Sequence, residues 1–132
     1  MDPVVHFEMP AEDTARTKKF YESVFGWQMT ETGPEMGNYL LAGTTEVDEN
    51  RMPKKGGAIN GGFYKKTDDP YSQHPSVVIA VDNLDESMKK VTEAGGTIHG
   101  EPYDIPGIGR YVSVVDTENN RVSMLQPLRR ET

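Results

Sequence analysis

With three histidines and no cysteine, the chemistry this chain can perform near neutral pH centres on His6, His74 and His99. His6 stands in the most informative surroundings. Around it the run from Val4 to Met9 alternates: Val5, Phe7 and Met9 share one side, Val4, His6 and Glu8 the other, which is the period of a strand with two unlike faces. An imidazole and a carboxylate two residues apart on one strand face form a metal-free acid/base pair, in which the carboxylate favours the charged imidazole. The plainer role for His6 is a polar cavity residue that only hydrogen-bonds, and for His74 and His99 a solvated loop or strand edge. Arg110 has the planar fork that anchors a carboxylate, and Tyr39, Tyr64 and Tyr111 can supply either aromatic walls or ordinary packing. The segment Gly107-Ile108-Gly109-Arg110 resembles a phosphate loop only superficially, because a strand rather than a helix follows it.

The elements that must hold these residues come as a repeated unit. After the first strand, Asp13 is placed to cap a helix; Thr17, Phe20, Tyr21 and Val24 recur at helical spacing, and Gly26 stops the run after about three turns. A shift of 70 residues carries Phe7 to Val77, Met9 to Ile79, Asp13 to Asn83, Tyr21 to Val91 and Gly26 to Gly96. The second copy has its own strand (Val77 to Val81), its own cap at Asn83 with Glu86 three residues on, and an apolar stripe of Leu84, Met88 and Val91. Short strands follow each helix. In the first copy they are expected at 28–32, 38–42 and 58–65, with a charged solvated loop at 43–55 and a bulge or close backbone approach at Gly61-Gly62. In the second they are expected at 97–101, 110–115 and 121–126, with 103–109 a loop. This predicts one α+β domain, 1–132, of two tandem βαβββ modules, 1–66 and 76–127, with a linker at 67–75 and a frayed tail from Leu128.

Composition narrows the partners. A net charge of −7 without a basic stripe argues against nucleic acid or an anionic membrane surface, and favours a small neutral or cationic ligand. The missing cysteines exclude disulfides, thiolate metal sites and cysteine nucleophiles. Neither a secretory leader nor a long apolar span is legible, so a soluble cytoplasmic protein is expected. At 35% hydrophobic residues the modules should share a core and a homodimer is expected to cover what remains.

Taken together, His6, Asp13, Phe20-Tyr21, Phe25-Gly26-Trp27, the segment Val81 to Asp85, Ala94-Gly95-Gly96 and Asp116 to Asn120 resemble the vicinal oxygen chelate superfamily of glyoxalases, bleomycin resistance proteins and extradiol dioxygenases. Gly61-Gly62 and the loop from Ile105 to Arg110 resemble its small glyoxalase-like members. The resemblance implies curved mixed sheets around a cavity completed by dimerisation. In metal-dependent members, ligands come from the first, fourth, fifth and eighth strands. Here only His6 matches; the fourth strand offers no carboxylate or histidine, and Ser76 and Ser123 fill the other two positions, where a hydroxyl is a poor ligand for such an ion. The expected function is therefore binding of a small organic molecule without the family's metal and with no other cofactor. His6, Glu8, Ser76, Val78 and Ser123 would line the cavity, serving either sequestration, as in the resistance proteins, or acid/base work by His6 and Glu8. The alternative is a divalent-metal lyase or isomerase of the glyoxalase type with substitute ligands His6, Glu8 and His74.

Overall fold

A computed structural model describes residues 1–128, and the tail beyond Leu128 lies outside the described residues. The elements run β1 (Val4–Ala11), α1 (Thr14–Phe25), β2 (Gln28–Glu31), β3 (Leu40–Gly43), β4 (Asn60–Lys65), β5 (Ser76–Ala80), α2 (Leu84–Glu93), β6 (Thr97–Ile105), β7 (Gly109–Val115) and β8 (Arg121–Pro127). The chain divides into two compact units. One is His6–Pro75; the other runs from Ser76 onward and includes Met1–Val5, whose Pro3 carbonyl accepts from Ala80 N at 2.9 Å. The expected linker belongs to the first unit, where Gln73 Nε2 folds it back onto the carbonyls of Thr67 and Asp69.

Each unit has the same topology. In the first the strand order is β2-β3-β4-β1, with β1 and β4 parallel and the other neighbours antiparallel. In the second it is β5-β8-β7-β6, with β5 and β8 parallel. The repeat of strand, helix and three strands is therefore a repeat of pairing as well as of pattern. The caps are equivalent too: Asp13 Oδ1 accepts from Arg16 N at 2.9 Å, and Asn83 Oδ1 from Glu86 N at 3.0 Å. The helix ends differ by one residue. Gly26 takes the left-handed conformation after α1, but after α2 it is Gly95, not Gly96, that does so. The chain uses the first glycine it meets, and Gly96 is left to bring the backbone close to the Val115 carbonyl, where a Cβ would come to 2.9 Å.

Of the two alternatives for Gly61-Gly62, the close approach holds and the bulge does not, since the β1/β4 register runs unbroken from His6 opposite Asn60 to Ala11 opposite Lys65, while the Phe7 and Tyr39 rings lie against the two glycines. One further expectation changes. The segment from Tyr103 to Ile105 is not loop but the end of β6, reached through a register shift after His99 that Gly100, at φ 81, accommodates. The first core packs Ala11, Met29, Leu40, Ala42 and Phe63 against Phe7, Met9, Tyr21 and Trp27, with the Tyr21 and Trp27 rings stacked at 4.8 Å. Phe7 and Met9 thus take the inward side that alternation assigned them. The second core is aliphatic, built on Val81, Leu84, Val112, Val114 and Met124. The apolar stripe expected on α1 is split: Tyr21 packs inward, while Phe20, Val24 and Phe25 are exposed.

Candidate functional site

In the first unit, the outward alternation of β1 and the register with β4 set His6 level with Asn60, Glu8 with Gly62 and Pro10 with Tyr64. These side chains share the face opposite the aromatic core. Tyr39, just before β3, lies across this face. Gly62 has no side chain to oppose it, and a Cβ there would fall on the Tyr39 ring and hydroxyl. Gly61 does the same for Phe7 on the other face, which explains why two adjacent glycines are required.

The Tyr39 hydroxyl lies between the two predicted residues, 3.2 Å from His6 Nε2 and donating to Glu8 Oε2 at 3.3 Å. A phenol has one proton, and the carboxylate is the stronger acceptor, so His6 must donate from Nε2. That fixes the tautomer and leaves the lone pair on Nδ1. Nδ1 makes no hydrogen bond among the described residues and is not sealed from solvent. Burial holds the His6 pKa below its ordinary 6.5, and Glu8 offsets only part of that effect. The expected raising influence of Glu8 is therefore present but outweighed. Glu8 itself is only 6% exposed.

In the second unit, Val78 lies level with Ser123, and Ser123 with Ser113 of β7. Ser123 is wholly buried, its Oγ 2.6 Å from the Tyr111 hydroxyl and 3.2 Å from Ser113 Oγ. Tyr111, Ser123, Val78 and Ser76 thus share one face of this unit. Arg110 does not join them; it alternates to the opposite face of β7 and pairs with Asp85 at 2.9 Å. In the first unit Tyr64 shares the His6 face, but its hydroxyl donates to the His74 carbonyl at 3.3 Å.

Sequence reasoning misses two participants and the role of a third. Tyr39, expected as a wall, is a bridge, since nothing in its spacing shows that it crosses Gly62. Ser113 and Arg121 follow by simple alternation from Tyr111 and Ser123, a signal that was available. His99, read as a solvated edge residue, is on the edge strand but half-buried, level with Ser113.

The metal-binding positions of the resemblance do not fit such an ion. Two are serine hydroxyls, and one of these, Ser123 Oγ, is committed to Tyr111 and Ser113. Among the described residues no three histidine or acidic side chains gather into a set that could hold an ion, and the described contact of His74 is its carbonyl, which accepts from the Tyr64 hydroxyl.

The profile of the Glyoxalase/Bleomycin resistance protein/Dioxygenase superfamily matches residues 4–124. A Mycobacterium tuberculosis protein named as a glyoxylase is 33% identical over 108 residues, which are 82% of this chain and 38% of that protein. The anthracycline biosynthesis protein DnrV of Streptomyces peucetius is 27% identical over 124 residues, 83% of this chain and 42% of its own. The chain thus spans about two fifths of the length of these relatives. Among solved structures, methylmalonyl-CoA epimerase from Mycobacterium tuberculosis superposes with a TM-score of 0.67 at 13% identity, covering 96% of this chain and 88% of that one. A Streptomyces coelicolor methylmalonyl-CoA epimerase variant in complex with 2-nitronate-propionyl-CoA gives 0.69 at 15% identity, covering 98% and 97%. At such identities the likeness is one of fold.

Proposed function

The chain belongs to the glyoxalase/bleomycin resistance protein/dioxygenase superfamily, and from that premise we propose that it binds a small organic carbonyl compound on the His6 face and moves a proton on it without a metal. The observation that carries this reading is the relay from His6 through Tyr39 to Glu8. His6 Nδ1 takes a proton from a carbon next to the ligand's carbonyl group. The imidazolium formed still donates its Nε2–H to the Tyr39 oxygen, and the Tyr39 hydroxyl still donates its proton to the Glu8 carboxylate, so the carboxylate's charge is felt through the phenol. Holding a histidine in one tautomer and stabilising its cation through the far nitrogen is the role an orienting carboxylate plays in nucleophile–histidine triads. Returning the proton from the His6 imidazolium to the neighbouring carbon of the enediol, on the same side of the ligand, closes an isomerisation. A His6 pKa below 6.5 keeps the base free at neutral pH. The CoA-ester complex of the similar fold makes thioesters a sensible part of the test panel.

The test is exchange of ligand protons with D2O, followed by NMR over small ketones, hydroxyketones and thioesters, with chelator present. Exchange by wild type that falls by about 10²–10⁴-fold in His6→Gln supports the base. Exchange that needs added metal transfers the reading to the divalent-metal lyase or isomerase. Saturable binding with no exchange reduces the function to sequestration. The expected homodimer belongs to the same proposal, because Phe20, Val24 and Phe25 give α1 an exposed apolar patch of the kind a twin would cover. A monomer by light scattering at micromolar concentration would remove it. Among the described residues no helix is long and apolar enough to cross a membrane.

A further inference from the structure

One side chain on the His6 face has a half that the relay does not use. Asn60 opens β4 level with His6, and partners on adjacent strands, about 4.8 Å apart, carry their side chains on the same face. Its Oδ1 accepts from Thr44 N at 2.8 Å and from Thr45 N at 3.1 Å, and so ties down the chain just past β3. Thr44 Oγ1 is 3.5 Å from the same oxygen, but its proton goes to the Ile59 carbonyl at 2.6 Å. Two backbone N–H groups can meet only an acceptor, which decides which end of the amide is oxygen and which is nitrogen.

Asn60 Nδ2 therefore keeps both of its protons. It has no hydrogen-bond partner among the described residues and is not sealed from solvent. The folding role of Asn60 belongs wholly to its oxygen. An aspartate would fill that role at least as well, because a charged oxygen is the stronger acceptor for backbone N–H groups. What the amide adds is a pair of donors, fixed in direction by the two threonines, on the face where His6 leaves the lone pair of Nδ1. A donor held in place before the ligand arrives needs no reorganisation, which is the condition for stabilising charge as it develops.

We propose that Asn60 Nδ2 donates to the carbonyl oxygen of the ligand bound on the His6 face. The effect on rate rests on proton transfer by His6 as read above; the binding contact does not. When the ligand's C–H bond breaks, the proton goes to His6 Nδ1. The electron pair moves into the carbon–carbon bond and on to the carbonyl oxygen, whose new negative charge the Asn60 N–H meets. Base and donor stand at one level on neighbouring strands, so the ligand lays its acidic carbon toward β1 and its oxygen toward β4. An uncharged amide binds a neutral carbonyl weakly and an enolate oxygen strongly, which is the differential that accelerates the step.

The test uses hydroxyacetone and propylene glycol, its counterpart without a carbonyl, each titrated into the isotope-labelled full chain and followed by NMR of the side-chain amides, with chelator present. Hydroxyacetone should move the Asn60 NH2 signals saturably, and propylene glycol should leave them in place. Asn60→Asp keeps the acceptor for Thr44 N and Thr45 N, so its thermal stability should not fall. Its exchange of hydroxyacetone protons with D2O should nevertheless drop by about 10²-fold or more on the high-pH plateau, the scale of a lost oxyanion donor. The new carboxylate also favours the charged imidazole, which moves the pH profile without lowering its plateau. A shifted profile with the wild-type plateau would mean that Asn60 acts only through His6, and would overturn the proposal. Asn60→Ala adds no charge and should lower the plateau to a similar degree; if it does not fold, the amide signals and Asn60→Asp still decide. Amide signals unmoved by hydroxyacetone, or a plateau in Asn60→Asp within about threefold of wild type, far short of a donor's contribution, would remove the donor and leave the His6 base standing. Moved signals without any exchange in wild type would uphold the donor and remove the proton transfer.

Discussion

Gly62→Ala should disable the relay from two positions away from any reacting atom. The methyl would occupy the space of Tyr39 Cε1, Cζ and Oη, so the tyrosine must swing off the sheet. Two hydrogen bonds go with it, one to a carboxylate. A charge-assisted bond is worth about 1.5–3 kcal/mol and a neutral one about 1 kcal/mol, and at 3.2 and 3.3 Å both belong to the lower part of those ranges, so a loss of about 2–3 kcal/mol is expected in urea denaturation. Tyr39→Phe removes the same hydroxyl without the overlap. It therefore loses a similar energy but keeps a ring over His6, where the two rings now stack 6.4 Å apart. The two variants part company in the titration of His6 followed by NMR. Burial is the main cause of its lowered pKa, so uncovering the imidazole in Gly62→Ala should raise that pKa toward or above 6.5, with Glu8 assisting. In Tyr39→Phe it should stay low. A Gly62→Ala protein within about 0.5 kcal/mol of wild type, the range of neutral substitutions, and with an unchanged His6 curve, would refute the argument that the glycine exists to seat Tyr39.

Other outcomes follow from the same geometry. Because the folded chain holds His6 below its ordinary pKa, the unfolded chain takes up the proton first as pH falls; stability is full above 6.5 and declines in the window just below it. His6→Gln should flatten that part of the stability-versus-pH curve, and an identical acid slope in the variant would place the effect elsewhere. Asp13→Ala and Asn83→Ala should each cost about 1 kcal/mol, and the double variant their sum, because the two caps sit in separate units. Strong non-additivity in thermal unfolding would contradict that independence.

The sequence by itself determined the repeat, the element order and the inward side of β1. Those are local properties: period-2 alternation, caps at Asp13 and Asn83, and glycine stops depend on neighbours within a turn or a strand. It also placed His6 and Glu8 on one face, which the register with β4 bears out. What it could not place were contacts between residues far apart in the chain. Tyr39 meets His6 and Glu8 across more than thirty positions, and only the lack of a side chain at Gly62 lets it through. The same holds for Arg110, whose alternation away from Tyr111 matters less than the distant Asp85 that claims it, and for the lowered His6 pKa, where burial by the packed chain outweighs the carboxylate two residues away. Strand periodicity assigns a side chain to a face; the tertiary structure decides which distant group meets it there and how much water is left between them, and hydrogen bonding and desolvation depend on both.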